Sequence, residues 1–202
     1  MPIRTVIFDL GRVIVPFDFD RAYARVSERT GLTRDIIRDR VRASGIVPRF
    51  ESGHIEPRPF VEQFNRAIGS DIAYEEFREI WFSIFSPETL IPESLLTSLK
   101  GRYRLLLLSN TNAIHYEMIE EHYPHVHHFD HHVLSYKVGA MKPEEAIYRE
   151  ALRHAVGDPA ECFFTDDIPE YVEGARRMGI DAVQFQSHEQ IVGELRARGV
   201  EV

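Results

Sequence analysis

Three short apolar runs, each stopping on a polar side chain, constrain this chain more than any other feature. "TVIF" is followed by Asp9, "LLLL" by Ser109, and "CFFT" by the pair Asp166 and Asp167. Runs of this length without polar alternation are the pattern of parallel strands buried on both faces. Strands are expected at Ile3–Phe8, Leu105–Leu108, His132–Leu134, Cys162–Phe164 and Ala182–Phe185, with helical patterns between most of them from Thr111 onward. That order predicts an α/β fold of βα units around a parallel sheet. Ligands of such sheets lie beyond the carboxyl ends of the strands, near the point where strand order reverses. A buried strand therefore has a reason to end on an acid.

Residues 17–96 have another texture. "DFDRAYARVSERTG", "TRDIIRDRVRAS", "EPRPFVEQFNRAIG" and "AYEEFREIWFSIF" are amphipathic helical patterns, punctuated at Gly31, Gly45, Pro48, Gly53 and Gly69. The expected organisation is an α/β core from residues 1–16 and 97–202, with a helical insertion of about 80 residues after the first strand. Asp18 and Asp20 are placed to cap its first helix. The stripe Phe60, Phe64, Phe77, Trp81 and Phe85 reads as core, with some of its members available to line a pocket.

The strand ends bring Asp9, Ser109, Asp166 and Asp167 to one edge of the sheet. Lys142 stands before Pro143, which suits a first helical position and would leave the lysine at the mouth of that turn. Three carboxylates, a hydroxyl and an amine fit a divalent cation held by hard oxygens beside a phosphate. A carboxylate can itself attack phosphorus once the metal and the lysine offset the repulsion between two anions.

Composition narrows the partners. The 202 residues carry a formal net charge of -8, which disfavours a general binder of nucleic-acid backbone. Cys162 is the single cysteine, so no intrachain disulfide is possible. No run approaches the roughly 18 apolar residues of a membrane span, and the start "MPIRTVIF" does not read as a signal peptide. The expectation is a cytoplasmic protein acting on a small phosphorylated molecule, without nucleic-acid or membrane partners; the oligomeric state is not legible.

"VIFDLGRVIV", "LLLLSNTN", "GAMKPEEAIY" and "FFTDDIPEYVEGARRMGI" together resemble the four ordered motifs of the haloacid dehalogenase superfamily. The likeness covers the whole chain and is strongest to its sugar-phosphatase-like branch, which includes bacterial glucose-1-phosphatases. It implies a Rossmann-like core with a type-one helical cap in the place of the insertion. It also implies that Asp9 is a nucleophile forming an aspartyl phosphate. Asp9, the carbonyl of Gly11 and Asp167 would ligate Mg²⁺, with Asp166 behind them or bound through water. Ser109 and the amide of Asn110 would hold phosphate oxygens, and Lys142 would bridge phosphate and Asp9.

Three positions depart from the superfamily pattern. Gly11 stands where most of its phosphatases carry a second Asp, the general acid. Val13 replaces a Thr, and Tyr171 an Asn. Without an acid at residue 11, good leaving groups are favoured, which points to sugar 1-phosphates such as glucose 1-phosphate. Asp18 is a possible replacement acid. Arg12 has no assigned role. In the insertion, "RFESGH" is read as a loop whose Arg49, Phe50 and Glu51 face the pocket of a mobile lid.

Each site residue also has a plainer reading. Asp9 could cap a turn, Asp166 and Asp167 could cap a helix, Ser109 could belong to an ordinary turn, and Lys142 could be solvated. Two rival functions follow: a metal-independent 2-haloacid dehalogenase using the same Asp9, and a catalytically weak phosphate-binding regulatory module. The six histidines from His122 to His132 lack a clean metal-ligand spacing and read as a solvated loop before a strand.

Overall fold

Thr5–Phe8 forms β1, buried at every position, in the middle of the sheet. The computed structural model describes residues 2–202. After β1 the chain makes five helices: α1 (Phe19–Thr30), α2 (Arg34–Ser44), α3 (Ile46–Glu51), α4 (Pro57–Ile68) and α5 (Tyr74–Phe82). Then come α6 (Glu93–Leu99), β2 (Arg104–Ser109), α7 (Ala113–His122), β3 (His131–Leu134), α8 (Ser135–Val138) and α9 (Glu145–His154). The chain closes with β4 (Cys162–Asp166), α10 (Pro169–Arg177), β5 (Asp181–Gln184) and α11 (His188–Ala197).

All pairings are parallel, in the order β3-β2-β1-β4-β5. The chain fills one side of β1 with β2 and β3, then crosses back to place β4 and β5 on the other. Strand order thus reverses beside β1. Phe8 is in register with Leu107 on one side and Thr165 on the other, which sets Asp9 level with Asp166. Ser109 and Asp166 are the last residues of their strands rather than the first beyond them.

The insertion differs from expectation at two points: the helical pattern "AYEEFREIWFSIF" ends at Phe82 and leaves Phe85 bridged to Phe17, and "IVPRFE" is a helix, α3, joined to α2 through Gly45. Pro48 sits in its first turn, where a missing N–H removes no intrahelical bond. Phe50 does not face a pocket. It is 1% exposed and stacks on Phe60 at 4.1 Å between ring centroids, inside the aromatic core with Phe64, Phe77 and Trp81. Arg49 is exposed. The insertion shares a continuous apolar core with the sheet. Trp81 stacks on His115 of α7 at 5.4 Å, and the His115 ring N–H donates to the Trp81 carbonyl at 3.1 Å. Burial holds His115 neutral, its pKa pushed down to about 3. Helix α6 spans residue 96 and packs on the turn Pro124–His128, so an element bridges the expected boundary.

The histidine tract is not a solvated loop. His125 is buried in the turn before β3, and His132 is held by Tyr116 and the Val126 carbonyl. His131 stacks on His154, and His128 pairs with Glu93. The rings of His125, His128, His131 and His132 meet separate partners because the tract packs between α6, α7 and the sheet edge, while His122 and His127 lie exposed. No described helix is long and apolar enough to cross a membrane.

Candidate active site

Lys142 organises the sheet edge. Its ammonium is buried and donates to Asp9 Oδ1 at 2.7 Å, Asp166 Oδ2 at 2.5 Å and the Leu108 carbonyl at 3.0 Å. Those contacts use all three of its donors. The lysine arrives from a turn rather than from the start of a helix, since Glu144 precedes α9 and Pro143 lies outside it. What fixes the turn is Asn110: its Oδ1 accepts from the Lys142 N–H at 2.8 Å, and its Nδ2 donates to the Lys142 carbonyl at 3.0 Å. The Asn110 side chain therefore clamps the lysine to the end of β2.

The carboxylates divide by what they touch. Asp166 is fully buried and accepts from Lys142 and from the Ile168 N–H at 2.9 Å, which ties it to the entry of α10. Asp167, half-buried, points the next carboxyl toward the cavity. Asp9 is 6% exposed, and its backbone N–H donates to the Thr165 carbonyl at 3.0 Å. One ligand atom from each of the three acids can be chosen so that all lie within 4.8 Å of one another. Three carboxylates around one ammonium leave excess negative charge. Burial pushes the Asp9 carboxyl up to about 7, Lys142 working against this and Asp166 adding to it. Burial and Asp166 also raise Asp167. Burial opposes the charge on Lys142, but Asp9 and Asp166 outweigh it and hold the ammonium above its ordinary value. Hard oxygens with surplus charge suit a divalent cation such as Mg²⁺.

Asp9, Gly11, Asn110, Lys142, Asp167 and Tyr171 line a cavity of about 160 Å³. Ser109 is 2% exposed and lines an adjoining cavity of about 70 Å³ with Gly11, Asn110 and Glu51. Its hydroxyl has no hydrogen-bond partner among the described residues, so it is available to a ligand. The sequence-predicted residues Asp9, Gly11, Ser109, Asn110, Lys142, Asp166 and Asp167 therefore meet at one edge. Asp18 does not join them: its carboxylate caps α1 by accepting from the Asp20 N–H at 2.9 Å.

Two residues near Asp9 carried no clear sequence signal. Phe17 packs so closely that a Cβ on Gly11 would lie 2.7 Å from its Cε1. The ring sits edge-on to both Phe19 and Phe85, which limits its retreat. Gly11→Asp is therefore expected to destabilise the fold by about 1–3 kcal/mol through overpacking, read by urea unfolding, without raising activity. Unchanged stability would mean that Phe17 yields freely. Arg12 takes a left-handed φ of 57°, unusual for a residue with a side chain. Its guanidinium lies 4.8 Å from the Phe17 ring centroid. It lines both the 160 Å³ cavity and a larger cleft of about 490 Å³ toward Asp18, Tyr23, Arg38 and Arg42.

A family profile described as haloacid dehalogenase-like hydrolase matches residues 3–179. The chain belongs to this family of hydrolases. It is 27% identical to D-ribitol-5-phosphate phosphatase of Bacteroides thetaiotaomicron, over 90% of this chain and 91% of that one. A haloacid dehalogenase family enzyme of the same organism, solved with magnesium and inorganic phosphate, superposes with a TM-score of 0.79 at 27% identity, covering 92% and 95% of the two chains. A HAD-like hydrolase from Porphyromonas gingivalis gives a TM-score of 0.82 at 25% identity, with both chains fully covered.

Proposed function

We propose that this hydrolase is a Mg²⁺-dependent phosphatase of small sugar or polyol phosphates, acting through an aspartyl phosphate on Asp9. The observation that carries the reading is the buried Asp9–Lys142–Asp166 cluster with Asp167 beside it. Asp9, the Gly11 carbonyl and Asp167 would hold the cation, with Asp166 anchoring Lys142 behind them. Bound there, Mg²⁺ would offset charge on the phosphoryl oxygens. Lys142 holds Asp9 in place, Ser109 and the Asn110 amide take phosphate oxygens, and Asp9 is left facing phosphorus. The 490 Å³ cleft, whose partly apolar wall also carries Arg12, Asp18, Asp20, Arg38 and Arg42, receives the hydroxylated body of the substrate. The comparisons support the chemistry: a relative is named for a polyol phosphate, and a similar solved structure holds magnesium with phosphate.

The test is phosphate release from glucose 1-phosphate, ribitol 5-phosphate and p-nitrophenyl phosphate, with and without Mg²⁺. Turnover that requires Mg²⁺ supports the reading. Chloride release from 2-haloacids without metal would replace it with dehalogenation, and phosphate binding without turnover would replace it with a regulatory role. Asp167→Ala is expected to raise the Mg²⁺ concentration for half-maximal activity at least about tenfold, with part of the rate restored by excess Mg²⁺. A Mg²⁺ titration that overlays the wild type would remove Asp167 from the ligand set.

A further inference from the structure

An unactivated alcohol leaves phosphorus as an alkoxide and needs a proton in the transition state. The sheet edge offers no obvious donor. Lys142 has its three donors engaged and its ammonium stabilised by two carboxylates. Gly11 has no side chain, and Phe17 fills the space where one would begin. Asp18 is occupied as a helix cap. Tyr171, raised by burial, is a weaker acid than an ordinary phenol.

Glu51 is placed differently from all of these. It ends α3 and is the insertion's acidic contribution to the 70 Å³ cavity that also contains Gly11, Ser109 and Asn110. Most of the remaining lining is apolar, including Leu10, Phe17, Ile84 and Phe85. Its carboxyl has no hydrogen bond or ion pair among the described residues. Its backbone, by contrast, is fixed to the core. The Ser135 hydroxyl donates to the Glu51 carbonyl at 2.6 Å and accepts from the Thr111 N–H at 2.9 Å, one residue beyond Asn110. Two residues after Glu51 the chain runs so close to α8 that a Cβ on Gly53 would lie 2.1 Å from the Tyr136 carbonyl oxygen. Only glycine permits that approach. A free carboxyl on a backbone tied to the phosphate end of β2 is a positioned group.

We propose that Glu51 is the catalytic acid and base of this site, in place of the side chain that Gly11 lacks. The assignment rests on the phosphatase reading. As Asp9 attacks phosphorus and the bond to the leaving oxygen breaks, the Glu51 carboxylic acid gives its proton to that oxygen, releasing the alcohol. The resulting carboxylate then takes a proton from a water whose oxygen attacks the aspartyl phosphate. The bond from phosphorus to Asp9 breaks, phosphate departs, and both side chains return to their starting forms. Burial in the apolar lining pushes the Glu51 carboxyl up to about 7, so both forms are accessible near neutral pH. Of the polar groups around it, His115 is held neutral and donates elsewhere, and the Tyr171 hydroxyl stays protonated. On α8, Lys137 lies near the Tyr116 and Tyr136 rings.

The experiment compares wild type, Glu51→Gln, Glu51→Asp and Asp18→Asn on an alkyl phosphate, ribitol 5-phosphate, and on p-nitrophenyl phosphate, whose phenolate leaves without a proton. Glu51→Gln is expected to lower kcat/KM on the alkyl ester by about 10²–10⁴-fold. On the aryl ester kcat/KM changes within a few-fold, while kcat falls because the intermediate loses its base. A burst of nitrophenolate should then reveal aspartyl phosphate accumulating on Asp9. Glu51→Asp, which keeps a carboxyl, recovers part of the alkyl activity and carries the test if Glu51→Gln does not fold. Equal losses of kcat/KM on both esters, or the split appearing in Asp18→Asn instead, would overturn the assignment. A wild type that hydrolyses neither ester with Mg²⁺ overturns the phosphatase reading itself, and so is a separate result.

Discussion

Asp9→Asn is expected to lower turnover by at least about 10⁴-fold, roughly 5 kcal/mol at the transition state, and to leave a protein at least as stable as the wild type. An amide does not displace an alkoxide from phosphorus, and no neighbour replaces the attacking atom. Asp166 has both oxygens committed, to Lys142 and to the Ile168 N–H. The stability half of the expectation comes from charge. The Asp9 carboxyl is raised from 3.8 to about 7 in the folded protein. Between those values the native state binds more protons than the unfolded chain, so this group makes metal-free stability fall as pH rises. Asparagine does not titrate and can still accept from Lys142. Metal-free Asp9→Asn should therefore melt above the wild type at pH 8, and the gap should close toward pH 4. Activity within a few-fold of wild type would end the nucleophile assignment; a lower melting temperature at pH 8 would show that the Lys142 contact outweighs relief of the excess charge.

The site was legible where chemistry interrupts a pattern. Asp9, Ser109 and Asp166 stand out because a buried strand has no packing reason to end on them, and the register of β1 with β2 and β4 then brings them together. Lys142 was placed by its position before Pro143 and by its motif, whereas the Asn110 clamp that delivers it spans 32 residues and left no local signal. The reading of Pro143 as a helix start failed because Glu144 precedes α9. Six-residue α3 was hidden by Gly45 and Pro48, which as local punctuation mark a loop but here begin a helix held by Phe50 packing on Phe60. Glu51 was grouped with Arg49 and Phe50 as pocket-facing; the turn of α3 sends Phe50 into the core and leaves Arg49 exposed. The histidine tract misled in the opposite sense, because polarity suggested solvent while Tyr116, Glu93 and His154 supplied partners from distant segments. Phe17 gave no signal at all. Its effect on residue 11 is a contact between side chain and backbone that only the folded chain defines.

Lys142→Met should be the most damaging single change to stability. Methionine matches the lysine stem in length and apolar character, so packing is nearly conserved and the loss is electrostatic. Removing one partner from a buried ion pair typically costs about 3–5 kcal/mol, and here one ammonium serves two carboxylates, with side chains 9% and 0% exposed. At about 2–4 °C per kcal/mol for a chain of this size, the melting temperature should fall by roughly 10 °C. The loss should grow with pH. Without the ammonium, Asp9 and Asp166 face each other as like charges, and the native state keeps a proton to higher pH than the wild type does. Since the unfolded carboxyls titrate near 4, stability of the variant should fall more steeply from pH 5 to pH 8. Mg²⁺ would act in the other direction, because a cation bound by the native state alone stabilises it by mass action. Urea unfolding at pH 5 and pH 8, with and without Mg²⁺, checks each step. A variant as stable as the wild type at pH 8 without metal would show that the buried carboxylates do not depend on Lys142. A loss equal at both pH values would mean that the lysine contributes packing rather than charge.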